Sequence, residues 1–155
     1  MGAEPMEHVV VGTDFSDGAD RALTVAIRFA KLMGAAIDLV HVYPLLTASL
    51  ASSVPGVFPV PPPGPDVLDE IKRRLDEVSL TVREAGLECR TANPEGSPAD
   101  EVIAYADRVG AELIVVGTHG RTGLRRVLVG SVAERVLRKT HRPVLVVPSV
   151  EENPR

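Results

Sequence analysis

Residues 113–123 read LIVVGTHGRTG, and the glycine-rich stretch that starts there continues to Gly130. The apolar run at its start is typical of a buried strand that stops at a turn. Serine followed three residues later by glutamate, as in Ser131 and Glu134, predicts a helix that begins with a capping box. A strand, a glycine-rich loop and a helix N-terminus present free backbone N–H groups and a favourable helix dipole to an anion. We therefore predict that this glycine loop, residues 117–130, binds the phosphates of a nucleotide; a connection whose glycines only make the turn is the alternative.

Apolar runs bounded by turns predict the remaining strands. Three such runs lie at residues 9–11, 36–42 and 143–148, and residues 87–92 have the weaker, alternating pattern of a strand at the edge of a sheet. Between them, apolar residues recur at three- and four-residue steps, which predicts helices that begin near Ser16, Asp66, Ser97 and Ser131. Five strands alternating with four helices define an α/β domain. We expect a single domain over residues 1–155, with its core at about 7–149, and an open, doubly wound five-stranded parallel sheet of order 3-2-1-4-5 in a three-layer α/β/α arrangement.

This topology predicts where a ligand binds. In open α/β sheets a ligand lies outside the carboxyl ends of the strands, where the winding reverses. In the expected order that point lies between strands one and four. The residues that follow those strands are Gly12-Thr13-Asp14 and Gly117-Thr118-His119-Gly120. Topology and glycine spacing therefore predict the same site.

The composition narrows the classes of partner. Aromatic residues make up only 3% of the chain, which disfavours modules that stack exposed rings on the bases of RNA or single-stranded DNA. The net charge is −4, but residues 121–142 hold seven Lys and Arg residues against one Glu. This basic patch beside the glycine loop favours a small phosphorylated ligand over a nucleic acid. A solvated helix face is the alternative for Arg135, Arg138 and Lys139.

The number of cysteines and the spacing of the histidines predict no metal site, and the N-terminal sequence predicts no export. Cys89 is the only cysteine and is expected to be a buried, unreactive thiol in a strand. His8, His41 and His141 show no metal-ligand spacing, so structural roles are favoured. The first six residues lack the features of a signal peptide, and no apolar run reaches transmembrane length. We expect a cytoplasmic protein with no membrane partner.

Residues 44–65 interrupt the alternation of strands and helices. Six prolines and two glycines fall within residues 55–65, so neither a helix nor a strand can continue through them. An extended loop is expected. A lid over the ligand and a docking segment for a partner remain open alternatives, and a plain exposed insertion is favoured over both.

The spacing excludes two common nucleotide-binding motifs. No Gly-Lys-Ser/Thr follows as in a Walker A loop, and the Gly-x-Gly turn of the dinucleotide fingerprint is missing. The spacing present is Gly117-x2-Gly120-x9-Gly130-Ser131, together with GTDFS at residues 12–16 and PVLVV at 143–147. In these motifs the chain closely resembles the universal stress protein family, and more narrowly its ATP-binding branch. The resemblance extends from about residue 8 to residue 148.

The resemblance implies that the ligand is ATP together with Mg²⁺. The triphosphate would be surrounded by backbone N–H groups of Gly117, Gly120, Gly130 and Ser131. Asp14 would approach the nucleoside, Val42 would read the adenine edge through its backbone, and Arg121 would pair with a phosphate. The implied nucleotide-binding set also includes the adjoining residues Gly12, Thr13, Thr118, His119, Gly123 and Val132.

Several of these residues have a structural alternative. Asp14 is also suited to capping the first helix. Ser131 is expected to cap its own helix whether or not its hydroxyl also binds phosphate. His119 can pack over the glycine loop instead of touching ligand, and Arg125 and Arg126 are as well suited to solvent as to a phosphate.

The same resemblance favours an ATP-binding, nucleotide-dependent regulatory or stress-response protein over an enzyme. Phosphoryl transfer needs a positioned nucleophile or water and metal-anchoring carboxylates, and Asp14 is the only obvious acid at the predicted site. No catalytic residue is predicted. A slow Mg²⁺-dependent ATPase and a nucleotide-independent dimeric interaction module remain alternatives.

The last apolar run predicts a subunit contact. An exposed strand edge invites pairing with another chain. In the resembled family the last strand commonly crosses to a second subunit, so a homodimer through residues 143–148 is expected. A fully buried fifth strand in a monomer is the alternative.

Overall fold

A computed structural model describes residues 7–44, 55–56, 58, 61–118 and 130–149. Strands and helices alternate along these residues. The strands are β1 (His8–Gly12), β2 (Ala36–Val40), β3 (Cys89–Ala92), β4 (Leu113–Gly117) and β5 (Val144–Val147). The helices are α1 (Asp17–Met33), α2 (Pro65–Glu84), α3 (Pro98–Val109) and α4 (Ser131–Lys139).

The five strands form one parallel sheet of order β3-β2-β1-β4-β5, which confirms the predicted fold class. In the centre of the sheet β1 pairs with β2 from His8 opposite Ala36, and with β4 from Val9 opposite Leu113. The winding therefore reverses between β1 and β4, as the sequence predicts.

Alternate residues of the strands feed two apolar cores, one on each face of the sheet. Val9 and Val11 lie in the core that is covered by α1 and α2, whereas Val10 lies in the core covered by α3 and α4. All three side chains are fully buried. This explains why β1 is a continuous apolar run: a parallel strand with helices on both faces has no solvent side.

The helix ends follow their local sequences with one exception. Ser16 caps α1, because its hydroxyl accepts from the Ala19 N–H at 3.2 Å, and α3 begins with Pro98 in its first turn. The predicted capping box at Ser131 is wrong. Gly130 is the N-cap of α4, no side chain of a described residue caps this helix, and Ser131 is its first residue.

The reason for this shift lies in the bonds of Gly130. Its N–H donates to the carbonyl oxygen of Thr118, and its own carbonyl accepts from the Glu134 N–H at 2.9 Å. The first intrahelical bond thus starts one residue before the serine, so Ser131 has helical backbone and cannot serve as the cap.

Two predicted boundaries also shift. β2 ends at Val40 rather than at Val42, and Pro65 begins α2 instead of closing the proline-rich segment. Proline suits the first turn of a helix because it lacks only an N–H that would have no intrahelical partner there. Most of that segment, residues 45–54, 57 and 59–60, lies outside the described residues.

Cys89 is buried in β3, as predicted, and β3 forms one edge of the sheet. Burial raises the pKa of its thiol to about 11, with a further contribution from the charge of Asp38. None of the described helices is both long enough and apolar enough to cross a membrane.

Candidate functional site

The candidate site lies at the carboxyl ends of β1 and β4. The two strands are hydrogen-bonded neighbours up to the pair Val11 and Val115, so the residues that follow both strands come to one edge of the sheet. Gly12 ends β1 and is followed by Thr13 and Asp14, and Gly117 ends β4 and is followed by Thr118. His119, Gly120, Arg121 and Gly123 lie outside the described residues.

Gly117 marks a close approach between β4 and α1. A Cβ atom at this position would lie 3.0 Å from the carbonyl oxygen of Gly18, in the first turn of α1. Only a residue without a side chain fits there unless the helix moves. At Gly12, in contrast, a Cβ atom would meet Val116 at 3.4 Å. Gly18 therefore adjoins the site, and no pattern in the sequence indicates it, because the contact joins residues about one hundred positions apart.

Thr118 joins the two ends of the glycine loop. Its N–H donates to the carbonyl oxygen of Val147 in β5 at 3.0 Å, and its own carbonyl oxygen accepts from the Gly130 N–H. Its hydroxyl accepts from the Ser149 N–H at 3.1 Å. These bonds place the N-terminus of α4 directly beside the end of β4.

The first turn of α4 has the properties of an anion site. It lacks a side-chain cap, and its first residues, Ser131 and Val132, are exposed. The first N–H groups of any helix have no intrahelical acceptor, and the helix dipole adds partial positive charge. The described structure therefore brings Gly117, Gly130 and these helix residues together, as the phosphate-binding prediction requires.

The β1–α1 loop (residues 13–16) is held by one backbone hydrogen bond to β2 and by hydrogen bonds within the loop. The Thr13 N–H donates to the carbonyl oxygen of Val40 at 2.9 Å, and the Thr13 hydroxyl oxygen accepts from the Phe15 N–H at 3.1 Å. Both the N–H and the hydroxyl of Ser16 donate to Oδ1 of Asp14, at 3.0 and 2.5 Å. Asp14 therefore does not cap α1 itself. It orients Ser16, which is the cap.

Carboxylates cluster at the start of α1. Partial burial, followed by the charges of Asp17 and Asp14, raises the pKa of Asp20, and the nearby charge of Arg74 opposes this rise. An anion at this edge of the sheet would need cations to offset these charges. In the described part of the chain no group of three or more His, Cys, Asp and Glu residues could hold a metal ion.

Val42 continues the path of β2 beyond the last residue of the strand. On the β3 side, the His41 N–H donates to the carbonyl oxygen of Ala92, and the Tyr43 N–H donates to that of Pro94. Backbone groups alternate in direction along an extended chain, so those of Val42 face the β1 side. They make no hydrogen bond within the described residues. The Val42 side chain is buried in the α3–α4 core, which leaves the backbone as its polar contribution to the site.

A separate cavity of about 410 Å³ lies between α2 and the carboxyl end of β3. Its lining includes Tyr43, Lys72 and Asn93. The cavity lies along the same edge of the sheet as the candidate site, but on the β3 side of Val42. The sequence does not predict it, because α2 and β3 carry no motif that would connect them.

Comparisons with known proteins agree with these observations. The sequence profile of the universal stress protein family matches residues 6–148. Universal stress protein MJ0531 of Methanocaldococcus jannaschii is 38% identical over 142 residues, which span 90% of this chain and 80% of that protein.

Two similar solved structures contain a nucleotide. A universal stress protein in complex with cAMP matches with a TM-score of 0.65 and 30% identity, over 93% of this chain and 98% of that one. The universal stress protein of Archaeoglobus fulgidus in complex with dAMP matches with a TM-score of 0.67 and 28% identity, over 92% of this chain and 97% of that one.

Proposed function

The chain belongs to the universal stress protein family, and from this premise we propose that it binds ATP with Mg²⁺ at the carboxyl ends of β1 and β4. In this proposal it acts as a nucleotide-dependent regulatory protein in the response to stress. The observation that carries the proposal is the stem of the glycine loop, where Thr118 sets the uncapped N-terminus of α4 beside Gly117. The cAMP and dAMP complexes of similar proteins support an adenine nucleotide as the ligand.

The phosphates are assigned to the glycine loop and α4. Backbone N–H groups at Gly117, Gly120, Gly130 and Ser131 donate to the triphosphate in this proposal. Arg121 adds a charge-assisted hydrogen bond. The ATP-binding branch is favoured over a monophosphate ligand because the glycine spacing extends over the whole loop and ends at a helix N-terminus, which offers more donors than one phosphate group can use.

The nucleoside is assigned to the opposite wall. Val42 presents a backbone donor and a backbone acceptor toward β1, which matches the donor and acceptor edge of adenine. Asp14 lies in the loop after β1, where a carboxylate suits a ribose hydroxyl as hydrogen-bond acceptor. Magnesium completes the site as the cation that offsets the carboxylates near the start of α1.

Calorimetric titration with ATP, ADP, AMP, cAMP and GTP, each with and without Mg²⁺, tests this proposal. We expect adenine nucleotides to bind more tightly than GTP, and affinity to rise with the number of phosphates. Gly120→Val should abolish ATP binding by blocking the approach of the backbone to phosphate. Gly34→Asn is the matched control, because Gly34 has a left-handed backbone (φ 69°) with nothing near its Cβ position, and asparagine tolerates that conformation. Equal ATP affinity in Gly120→Val and the wild type would refute the assigned site.

Binding of ATP without its hydrolysis is the role that the geometry of Asp14 favours. Its Oδ1 accepts two hydrogen bonds from Ser16, so this oxygen is already used to orient the residue that caps α1. We expect ATP incubated with the protein and Mg²⁺ to remain intact when analysed by chromatography. Turnover that disappears in Asp14→Ala would instead establish the slow ATPase.

A homodimer through β5 is the second part of the proposal. β5 forms one edge of the sheet, and its residues Val144, Leu145 and Val146 are only half-buried. On α4, the neighbouring helix, Val132 and Leu137 are exposed. Residues 143–148 therefore offer a second subunit apolar side chains and a strand edge that pairs with no other described strand.

Light scattering at micromolar concentration tests the dimer. The wild type should have the mass of two chains, and Val146→Lys should shift it toward one. Thr91→Lys, an exposed position on β3 at the other edge of the sheet, is the control and should remain dimeric. A wild-type mass of one chain would contradict this part of the proposal.

A further inference from the structure

The β1–α1 loop holds one residue in an unusual backbone conformation. Phe15 has a φ of 62°, in the left-handed region that residues with a side chain rarely adopt, and among the described residues other than glycine it is alone in this. Such a conformation persists only where surrounding contacts enforce it. The hydrogen bond from the Phe15 N–H to the Thr13 hydroxyl lies within the loop itself, so it cannot anchor the loop to the rest of the fold.

Besides the hydrogen bond from the Thr13 N–H to Val40 of β2, two side chains from other elements anchor the loop. The ring of His41, which follows β2, lies 4.5 Å from the Phe15 ring, and Nδ1 of His41 is 2.9 Å from the carbonyl oxygen of Thr13. Arg74, from the middle of α2, places its guanidinium carbon 4.4 Å from the centroid of the Phe15 ring. A cation over an aromatic ring is attracted by the electron-rich face of the ring.

Arg74 differs in this respect from its neighbour on the same helix. Arg73 is held by Glu70 and Glu77 through ion pairs along the exposed side of α2. Arg74 is half-buried and makes no ion pair with a described residue, so its main described contact is Phe15. Its charge also acts on Asp20 at the start of α1, because it opposes the rise in the pKa of that carboxyl group.

We propose that Phe15, His41 and Arg74 form a clamp that fixes the β1–α1 loop in the conformation that binds the nucleotide. Arg74 is a positioning residue in this clamp, supplied by a helix that carries no part of the glycine motif. The loop so fixed orients Asp14, and through Ser16 it also sets the first turn of α1, where Gly18 meets Gly117. The inference rests on the proposed function for the identity of the ligand, whereas the clamp itself is a property of the ligand-free chain.

The test compares Arg74→Gln, Arg74→Lys and the matched control Arg73→Gln in the full chain. Cation–π contacts of this kind predict that Arg74→Gln weakens ATP binding by roughly 3- to 10-fold in calorimetry. Arg74→Lys should restore most of the affinity, and Arg73→Gln should bind like the wild type. Phe15→Leu, which keeps an apolar side chain but removes the ring, should weaken binding as Arg74→Gln does.

Amide hydrogen exchange of the ligand-free proteins supplies a readout that general destabilisation does not produce. In Arg74→Gln the Phe15, Ser16 and Ala19 amides should exchange faster, while the amides of β1 and β4 and the melting temperature stay unchanged. In Arg73→Gln all of these amides should exchange as in the wild type.

Each remaining outcome decides the matter. Wild-type affinity together with wild-type exchange in Arg74→Gln overturns the clamp, as does an equal loss of affinity in Arg73→Gln. A wild-type protein that binds no adenine nucleotide overturns the proposed function instead. The exchange comparison, made without nucleotide, then decides whether the clamp exists.

Discussion

The two ends of the sheet both contain polar side chains, but they use them differently. Toward the amino end, Asp38 of β2 is fully buried, and its Oδ2 lies 2.6 Å from Nδ1 of His8. Its other oxygen has no hydrogen-bond partner among the residues that the structure describes. At the carboxyl end, Thr13, Asp14 and Ser16 are only partly buried, and hydrogen bonds within the loop hold them at an open edge.

This difference separates scaffold from site. A buried carboxylate is tolerated only where a partner offsets the loss of its hydration. The Asp38–His8 pair therefore has a structural role and is not available to bind a ligand. The polar groups at the carboxyl end are already satisfied by their neighbours while remaining accessible, and the adjoining first turn of α4 has no side-chain cap. The polar side chains that could bind a ligand therefore lie at the carboxyl end of the sheet, whereas the polar pair at the amino end stabilises the fold.

Removing the Asp38–His8 pair at the amino end of the sheet should produce the largest decrease in the free energy of unfolding. His8→Ala removes the ion-pair partner that lies 2.6 Å from the buried Asp38 carboxylate, which costs about 3 kcal/mol of the free energy of unfolding. Urea denaturation at neutral pH measures this cost. The folded fraction should still bind ATP with nearly wild-type affinity, because His8 lies far from the candidate site along β1.

The control for this prediction is Arg73→Ala, which removes ion pairs on the exposed surface of α2 and should leave the midpoint of denaturation unchanged. A His8→Ala variant as stable as the wild type would show that Asp38 does not depend on its partner.

Gly117→Ala should have the next largest effect, and it should act on both stability and binding. The new Cβ would lie 3.0 Å from a backbone oxygen of α1, and relief of such a contact costs about 1–3 kcal/mol. Because the helix must move at the candidate site, ATP affinity should fall at least tenfold, an order-of-magnitude expectation that follows from losing about 1.4 kcal/mol. Gly12→Ala, whose Cβ would meet side-chain carbons at 3.4 and 3.6 Å, should show the smaller loss in both measurements. Equal losses in the two variants would remove the special role of Gly117.

Serine-to-alanine substitutions at the starts of α1 and α4 should have smaller and different effects on the free energy of unfolding. Ser16→Ala removes the cap of α1 and should cost about 1 kcal/mol in denaturation. Ser131→Ala removes no cap, so its stability should equal that of the wild type, while its affinity for ATP should fall if the hydroxyl donates to phosphate. If Ser131→Ala were destabilised, Ser131 would cap α4 as the sequence predicts, and the assignment of Gly130 as the N-cap would be wrong.

The rate at which the Cys89 thiol is alkylated measures how well the amino end of the sheet excludes solvent, and this measurement needs no substitution. It pairs with Ile37 near the amino end of the sheet, and burial is the main reason that its thiol pKa rises from 9.0 to about 11. The folded protein should therefore contain roughly 100-fold less thiolate near pH 8 than the unfolded chain, and alkylation should slow accordingly. Parallel labelling in buffer and in urea provides the measurement. Rapid alkylation of the native protein would mean that this end of the sheet opens to solvent.

The fold could be predicted from the sequence because its signals are local and repetitive. A run such as Val9–Val11 without polar alternation indicates a strand covered on both faces, and the alternation with helices limits the topology to a few arrangements. The same rule placed Gly12 and Gly117 at neighbouring strand ends, and the structure confirms that placement. Their part in binding a nucleotide stays a prediction.

Other features could not be predicted because they depend on contacts between distant residues. The left-handed Phe15 is contacted by His41 and Arg74, which no spacing in the sequence connects to it. The capping box failed for a related reason. The sequence around Ser131 matches the motif, but the bond from Gly130 to Thr118 fixes the helix start one residue earlier.

The pairing of Val9 with Leu113 in the centre of the sheet has a consequence for synthesis of the chain. A ribosome releases β1 early, yet β4, which covers one of its edges, is made only after most of the chain. Pairing between strands so distant in sequence is slow, because a long loop must close before the contact stabilises it. Until then an apolar strand with an open edge is exposed to other nascent chains. We therefore expect that β1, before it pairs with β4, makes the nascent chain prone to aggregation during translation.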